Sequence, residues 1–333
     1  MNNMKNWVKK WFIAAGAMIA AGVIICAVIF AVNGFDISAF NTSKERIREE
    51  KSIQRGMAAN LYIETSSSEV ILKKTTDRDD IHVTYYENED ITYDFIDTDG
   101  TLKIIEKDNK KWYQMLKINF SIQDTPLIVE IPEDRWEEIN INTSSGDILI
   151  DEINCQELNT ETSSGEIKAN NLTAKKEASF DTSSGDIDLS EILSESISID
   201  TSSGETNISD INNSANINIE SSSGDISIKN SVLANQLTID TSSGETEISN
   251  VSANNMNIES SSGDIEFSRA DASDYKVDTS SGDVFGTIKG DNNTVSFITE
   301  TSSGDVSVPN PSKGEKAFSA STLSGDIEIA FSK

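Results

Sequence analysis

One five-residue phrase, of which Thr201-Ser202-Ser203-Gly204-Glu205 is an example, recurs ten times and governs what this chain can become. The glycines of the copies are Gly146, Gly165, Gly185, Gly204, Gly224, Gly244, Gly263, Gly282, Gly304 and Gly325, at spacings of 19, 20, 19, 20, 20, 19, 19, 22 and 21 residues. A period near twenty over more than half of a 333-residue chain predicts a solenoid, whose units pack only on their neighbours.

Position by position, the phrase sits between two alternating patterns. Seven residues before the glycine stand Ile139, Leu158, Ala178, Ile197, Ile217, Leu237, Met256, Tyr275, Phe297 and Phe318; five before it stand Ile141, Phe180, Ile199, Ile219, Ile239, Ile258 and Val277. Alternate apolar residues mark a strand. Minus three is always Thr or Ser and minus one always Ser, which predicts an inward face continuing in small hydroxyl side chains. After the glycine the apolar positions are plus two (Ile148, Ile167, Ile187) and plus four (Ile150, Leu189, Ile208), so the parity breaks and the chain must bend. Glycine supplies backbone angles for such a bend at no steric cost. An apolar residue at plus seven (Ile153, Leu172, Ile192, Ile211, Val251) predicts a short third side.

No repeat can bury its own apolar face, but ten rungs about 4.8 Å apart would enclose a core on the order of 45 to 50 Å long. The expected fold is all-β, a right-handed parallel β-helix with rungs of about 20 residues. A repeated antiparallel meander ranks second, because like side chains at one phase form ladders only in a parallel, in-register stack. Residues 136–333 are the expected solenoid. Residues 60–135 read as irregular first rungs or a capping β-region: Leu61-Tyr62-Ile63-Glu64-Thr65-Ser66-Ser67-Ser68-Glu69 is a degenerate copy with Ser68 in the glycine place, 78 residues before Gly146.

The chain opens differently. Lys5, Lys9 and Lys10 precede a run from Trp11 to Val32 without a charge. As a helix its 22 residues would span about 33 Å, enough for a hydrocarbon core of about 30 Å. The lysines place residues 1–10 in the cytoplasm and the β-region outside, with Trp7 and Trp11 at the interface. A cleaved signal peptide would be shorter and end in a small-x-small site, and a lipoprotein cysteine would not follow Ile25 in mid-span as Cys26 does. The expectation is therefore an uncleaved transmembrane helix at 11–32. Residues 33–59 read as a juxtamembrane spacer; Thr42 and Glu45 also offer a cap for a short helix through Arg55.

Three lysines and no acids precede residue 33, so a net charge of −29 leaves −32 on the remainder. Such a surface repels nucleic acid, and anionic lipid or wall polymer would need bridging cations. Cys26 and Cys155 are too differently placed to pair, which leaves no disulfide framework. Cys155 reads as packed rather than reactive.

The acids beside the glycines hold the most chemical potential. Asp147, Glu166, Asp186, Glu205, Asp225, Glu245, Asp264, Asp283, Asp305 and Asp326 follow the glycine and form the candidate binding column. A second column at minus four holds Glu161, Asp181, Asp200, Glu220, Asp240, Glu259, Asp278 and Glu300. Both point outward by parity, with like charges on adjacent rungs, so they must be solvated or neutralised by ions. Weak calcium binding is the single cofactor expectation, against a solubilising face that guards exposed edges. The Thr and Ser columns read as hydroxyl ladders between rungs, or as glycan acceptors.

Catalysis draws little support: the acids are spread evenly, His82 is a lone histidine in an early strand, and no nucleophile elbow, phosphate loop or metal-ligand spacing occurs. Trp112, Tyr113 and Trp136 read as core or cap packing, with a sugar-stacking patch as the alternative.

Together, the apolar span followed by Gly34-Phe35-Asp36, Lys111-Trp112-Tyr113 with Ile118-Asn119-Phe120, the strand from Leu127 to Pro132 and the Ser-Gly-Asp-Ile repeats resemble a bacterial β-strand-repeat family of unknown function, labelled putative adhesin and related to toast-rack domains. The resemblance implies a membrane-tethered envelope protein with a β-helical outer domain, common in Gram-positive bacteria and sometimes linked to envelope stress. It brings no ligand or catalytic residue. The expected function is a non-enzymatic, membrane-anchored extracytoplasmic module, an adhesin or cell-envelope binder, whose partners are the lipid bilayer and cell-wall polymers or other membrane proteins. An envelope-stress regulator is the alternative and a polysaccharide-active enzyme the third reading.

Overall fold

Every rung turns at its Ser-Ser-Gly corner, and the corners stack glycine on glycine. A Cβ built on Gly185 would lie 1.7 Å from the carbonyl oxygen of Gly165, and one on Gly165 would lie 1.9 Å from that of Gly146. The same approach, at 1.9–2.2 Å, recurs at the other corners of the column. Real side chains do not approach a backbone this closely, so the glycines are needed for contact between rungs. The bend itself is a weaker reason than expected: among the corner glycines only Gly204, Gly224 and Gly244 adopt positive φ, between 114° and 145°.

The computed structural model describes residues 45–54, 56, 58–109, 125–132, 136–212, 214–309 and 314–332. One compact unit comprises Ile47–Asp108 and Thr125–Lys333; the other, Met1–Arg46 with Asn109–Asp124, lies almost wholly outside the described residues. The transmembrane helix expected at 11–32 lies outside the described residues, as do Trp112 and Tyr113. Among the described residues no helix is long and apolar enough to cross a membrane.

The compact unit is an all-β, right-handed-like solenoid of about nine turns. Its first strands are β1 (Ile47–Ile53), β2 (Asn60–Thr65), β3 (Val70–Thr75), β4 (Ile81–Glu87), β5 (Ile91–Thr98), β6 (Thr101–Asp108) and β7 (Leu127–Pro132). The repeats supply β8 (Trp136–Thr143), β9 (Ile148–Asp151), β10 (Asn154–Thr162), β11 (Ile167–Thr182), β12 (Ile187–Ser203), β13 (Thr206–Ser209), β14 (Asn216–Ser223), β15 (Ile226–Lys229), β16 (Gln236–Ser243), β17 (Thr246–Ser249), β18 (Ser252–Ser262), β19 (Ile265–Thr279), β20 (Val284–Ile288), β21 (Val295–Ser303), β22 (Val306–Ser307), β23 (Lys316–Ser324) and β24 (Ile327–Phe331).

Successive repeats pair in parallel and in register. Ile197 meets Ile217, Ile217 meets Leu237 and Leu237 meets Met256 along one sheet, while Ile187, Thr206, Ile226 and Thr246 line up along the next. The minus-seven, minus-five, plus-two and plus-four side chains fill one continuous core, and plus seven adds Ile153, Leu172, Ile192, Ile211 and Val251. A second corner separates the second side from the third. It is made by Glu152, Asn171, Glu191, Asp210, Asn230, Asn250 and Arg269, six residues after each of the first seven glycines, all with φ between 51° and 57°. Asn and Asp visit that region at small cost, whereas Glu and Arg are unusual there.

The corner departs from expectation in one respect. The minus-three hydroxyls are buried, Thr162 at 2 % and Thr182 at 1 % exposure, but the minus-one serines face solvent. The strand ends at minus three in the rungs of Gly146, Gly165, Gly185 and Gly282 and runs on to minus one in the others, and both corner positions are exposed in either case. In the early rungs the buried threonine closes that turn: Gly146, Gly165 and Gly185 donate their N–H to Thr143, Thr162 and Thr182 Oγ1, each at 3.0 Å.

Both ends depart from chain order. The degenerate copy, β2 and β3, pairs directly with β8 and β9, so Ser68 lies immediately under Gly146 although the two are 78 positions apart. Strands from the stretch between them, together with β1, cover that end: β6 and β7 add a further parallel layer, β5 pairs antiparallel with β6, and β4 and β1 extend the β7 side antiparallel. Ser68 carries a side chain where its successors are glycine, and Tyr93 donates to its Oγ at 3.1 Å. β1 falls within the expected spacer 33–59 and within the alternative short helix. It is neither, because Ile47–Ile53 supplies an antiparallel partner for all seven positions of β4.

At the other end, β23 and β24 insert between β19–β20 and β21–β22, so the glycine column runs Gly282, Gly325, Gly304. Side-chain content explains the exchange. Phe318 packs between Tyr275 (5.2 Å between ring centroids) and Phe297 (5.6 Å), and Ile327 and Ile329 are buried, whereas Ile298 and Val306 of the outermost rung remain 69 % and 43 % exposed.

Candidate functional site

The acids after the glycine are exposed along one edge of the stack, with Glu166 half-buried, but their aspartates are already engaged. Asp147 Oδ1 accepts the N–H of Glu166 on the next rung at 2.8 Å. Asp186 does the same for Glu205, Asp225 for Glu245, Asp264 for Asp283, Asp283 for Asp326 and Asp326 for Asp305, all at 2.8–2.9 Å. The geometry follows from the corner. The plus-two N–H of one rung reaches the plus-one carbonyl of the next, as Ile148 reaches Glu166 at 2.8 Å. The plus-one N–H of that next rung therefore points back toward the first, where an aspartate is of the right length to meet it. Glutamate is one methylene longer, and Glu166 turns instead to Lys168 Nζ at 2.5 Å. Those six aspartates thus tie neighbouring rungs by charge-assisted hydrogen bonds, interrupted where the column carries Glu166, Glu205 and Glu245. Among the described residues no group of three His, Cys, Asp or Glu side chains comes together to hold a metal.

The minus-four column behaves as the like-charge row its register implies. Glu161, Asp181 and Asp200 are direct neighbours. Burial, then Asp200 and Glu161, hold the Asp181 carboxyl above its ordinary range. Farther along, Lys276 bridges Glu259 (2.9 Å) and Asp278 (3.2 Å), and both carboxyls are held low. For Glu259 the main cause is the Lys276 hydrogen bond, and for Asp278 it is the hydroxyl of Ser321.

The outward face of the second side carries a groove of about 380 Å³ across four rungs. Register places Lys168, Asp188, Asn207 and Ser227 in one row and Asn170, Ser190, Ser209 and Lys229 in the other. Short side chains form the floor and the two lysines stand at opposite corners. The groups hold one another: Asn207 Nδ2 donates to Asp188 at 3.1 Å, Ser190 Oγ to Asn170 at 2.9 Å and Ser227 Oγ to Glu247 at 3.3 Å. Lys168 reaches Asp188 at 3.6 Å and Lys229 reaches Glu247 at 2.9 Å.

The Toastrack DUF4097 family model matches residues 58–248 and, in a second match, 212–333. The chain belongs to that family. Solved structures similar to this Toastrack chain include a putative lipid binding protein from Parabacteroides distasonis, at 15% identity over 86% of this chain and 98% of that one, with a TM-score of 0.43. A putative adhesin from Bacteroides fragilis matches at 12% identity over 87% and 99%, TM-score 0.38. A putative cell adhesion protein from Clostridium sporogenes matches at 12% identity over 86% and 100%, TM-score 0.24. Among curated proteins none matches the chain.

The remaining candidates of the Toastrack solenoid are structural. Trp136 is buried at 1 % exposure at the start of β8, so it is no sugar-stacking surface. Cys155 lies in the core, where burial pushes its thiol up to about 12. His82 is buried between β1 and β7, opposite Ser52 and Glu130, with Nε2 3.8 Å from Glu50. Reading by apolar phase missed the groove, because its residues are the polar plus-three and plus-five positions between buried ones. The signal was the run of short residues there, Ser190, Asn207, Ser209 and Ser227, between Lys168 and Lys229.

Proposed function

We propose that the chain is a non-enzymatic, membrane-anchored module on the outer side of the cytoplasmic membrane that binds a repetitive polymer of the cell envelope, as an adhesin or envelope tether. The observation that carries this reading is the in-register solenoid, which brings corner serines and an acid to the surface at rung after rung, about 4.8 Å apart. Weak contacts that repeat along a rigid surface add by multivalency when the ligand repeats too. The uncharged run from Trp11 to Val32 behind Lys5, Lys9 and Lys10 supports the anchor and its orientation. The net charge of −29 opposes nucleic acid as a partner.

Cosedimentation of the purified intact chain with isolated envelope polymers, in calcium and in chelator, tests this reading. Saturable retention in both conditions is expected if the contacts are hydrogen bonds from the outward polar side chains, and loss of retention in chelator alone would assign the contact to ions bridging the acid column. Absence of retention in both would sink envelope binding and favour a membrane-protein partner in stress signalling.

A further inference from the structure

We propose that the groove on the second side is a binding subsite for a neutral polysaccharide; the proposal rests on the envelope-binding reading and names its ligand class. Three features select the ligand. The first is shape: four rungs give a trough about 14 Å long, suited to a few units of an extended chain lying along the stack. Its floor is Asp188, Ser190, Asn207, Ser209 and Ser227, laid over the buried core residues Leu189 and Ile208.

The second feature is the mixture of donors and acceptors. Asn207 is exposed and spends one amide hydrogen on Asp188. Ser209, at the centre, makes no side-chain hydrogen bond among the described residues. Groups that both donate and accept, held by their neighbours before a ligand arrives, match the hydroxyls of a sugar and lose little entropy on binding it.

The third feature is charge. Lys168 is paired with Glu166 and Asp188, and Lys229 with Glu247, so neither offers an uncompensated positive charge. Asp186, Glu205 and Asp225 flank the groove at the glycine corner, and Glu191 and Asp210 flank it at the other. A polyanion entering between these rows meets like charge on both sides, whereas an uncharged polyol does not.

The test is calorimetric titration of the intact chain in a polyoxyethylene detergent, which has no sugar headgroup to compete. Chitotetraose and cellotetraose are the neutral probes and a hyaluronan tetrasaccharide is the acidic counterpart. Saturable binding of a neutral tetrasaccharide is expected, weakened about tenfold by Asn207→Ala and abolished by Ser209→Tyr, which fills the floor. Both variants change outward side chains, and thermal melting verifies that each still folds; Asn207→Ala carries the test if the larger substitution does not. Failure of both neutral probes to bind, preference for the acidic one, or binding unaltered in both variants overturns the proposal. Envelope cosedimentation separates it from the reading beneath it. Equal retention of wild type and Asn207→Ala leaves envelope binding standing and removes the groove as its site. Tetrasaccharide binding without envelope retention supports the groove and removes the envelope reading.

Discussion

At the scale of single residues, the phrase Ser-Ser-Gly-Asp divides its labour. Glycine lets two backbones touch, aspartate ties the next rung's amide, and the buried threonine closes the early turns. Gly185→Ala would thrust a methyl to 1.7 Å from the Gly165 carbonyl oxygen. Neither backbone can yield without opening the stack, so a loss of at least about 3 kcal/mol is expected in denaturant unfolding. Ser68→Ala, at the one corner where a side chain already fits, is expected to cost only about 1 kcal/mol for the lost Tyr93 contact. Equal losses at the two sites would contradict the contact argument. The like-charge row makes a second prediction. The Asp181 carboxyl is raised in the folded chain above its ordinary 3.8, so the folded state holds that proton more tightly. The resulting destabilisation is absent below 3.8 and grows as pH rises through the folded value. Asp181→Asn should therefore raise the unfolding midpoint near pH 7 and leave it nearly unchanged near pH 3. An equal gain at both pH values would show that charge is not the cause. Glu259 has the opposite sign: its Lys276 bridge stabilises above the ordinary carboxylate range and is lost as pH falls through the lowered value.

At the scale of elements, the exchange of the last two rungs is the least expected feature. It predicts which outward positions are neighbours: Glu328 lies beside both Phe285 and Ser307, so those two are separated by a full rung. A Phe285→Cys, Glu328→Cys pair should form a disulfide readily, and a Phe285→Cys, Ser307→Cys pair should not. Crosslinking of the second pair in place of the first would mean that the rungs stack in chain order. The sequence made the interior rungs legible because their code is local: apolar phase, a parity break and one glycine. It could not reveal the exchange, since Gly304 and Gly325 carry the same phrase and spacing alone cannot tell a neighbour from a next-nearest neighbour. Only the burial of Phe318 between two other rings decides the order. The corner at Glu152, Glu191 and Arg269 was equally hidden, because those residues do not announce a left-handed backbone as glycine would. The acid column was visible as a pattern, but its role lay in the length of aspartate against the direction of an amide on the next rung.

At the scale of the whole molecule, the fold closes one end and leaves the other plainer. Antiparallel strands with charged outward residues, Arg48, Glu49, Glu50 and Lys51 among them, finish the N-terminal end. This is a common way of preventing edge-to-edge growth of a sheet. The parallel stack then rises from that cap, with exposed acid rows and a shallow polar groove on one side. On the proposed reading all of this lies outside the membrane on an N-terminal anchor, and side-specific labelling in intact cells tests that arrangement most directly. Ser202→Cys puts an exposed thiol on a corner, while Cys155 stays silent because it is buried and its thiol is pushed up to about 12. A membrane-impermeant maleimide should label Ser202→Cys in intact cells and Asn3→Cys only after permeabilisation. Labelling of Asn3→Cys in intact cells, or of Ser202→Cys only after lysis, would contradict an extracytoplasmic solenoid.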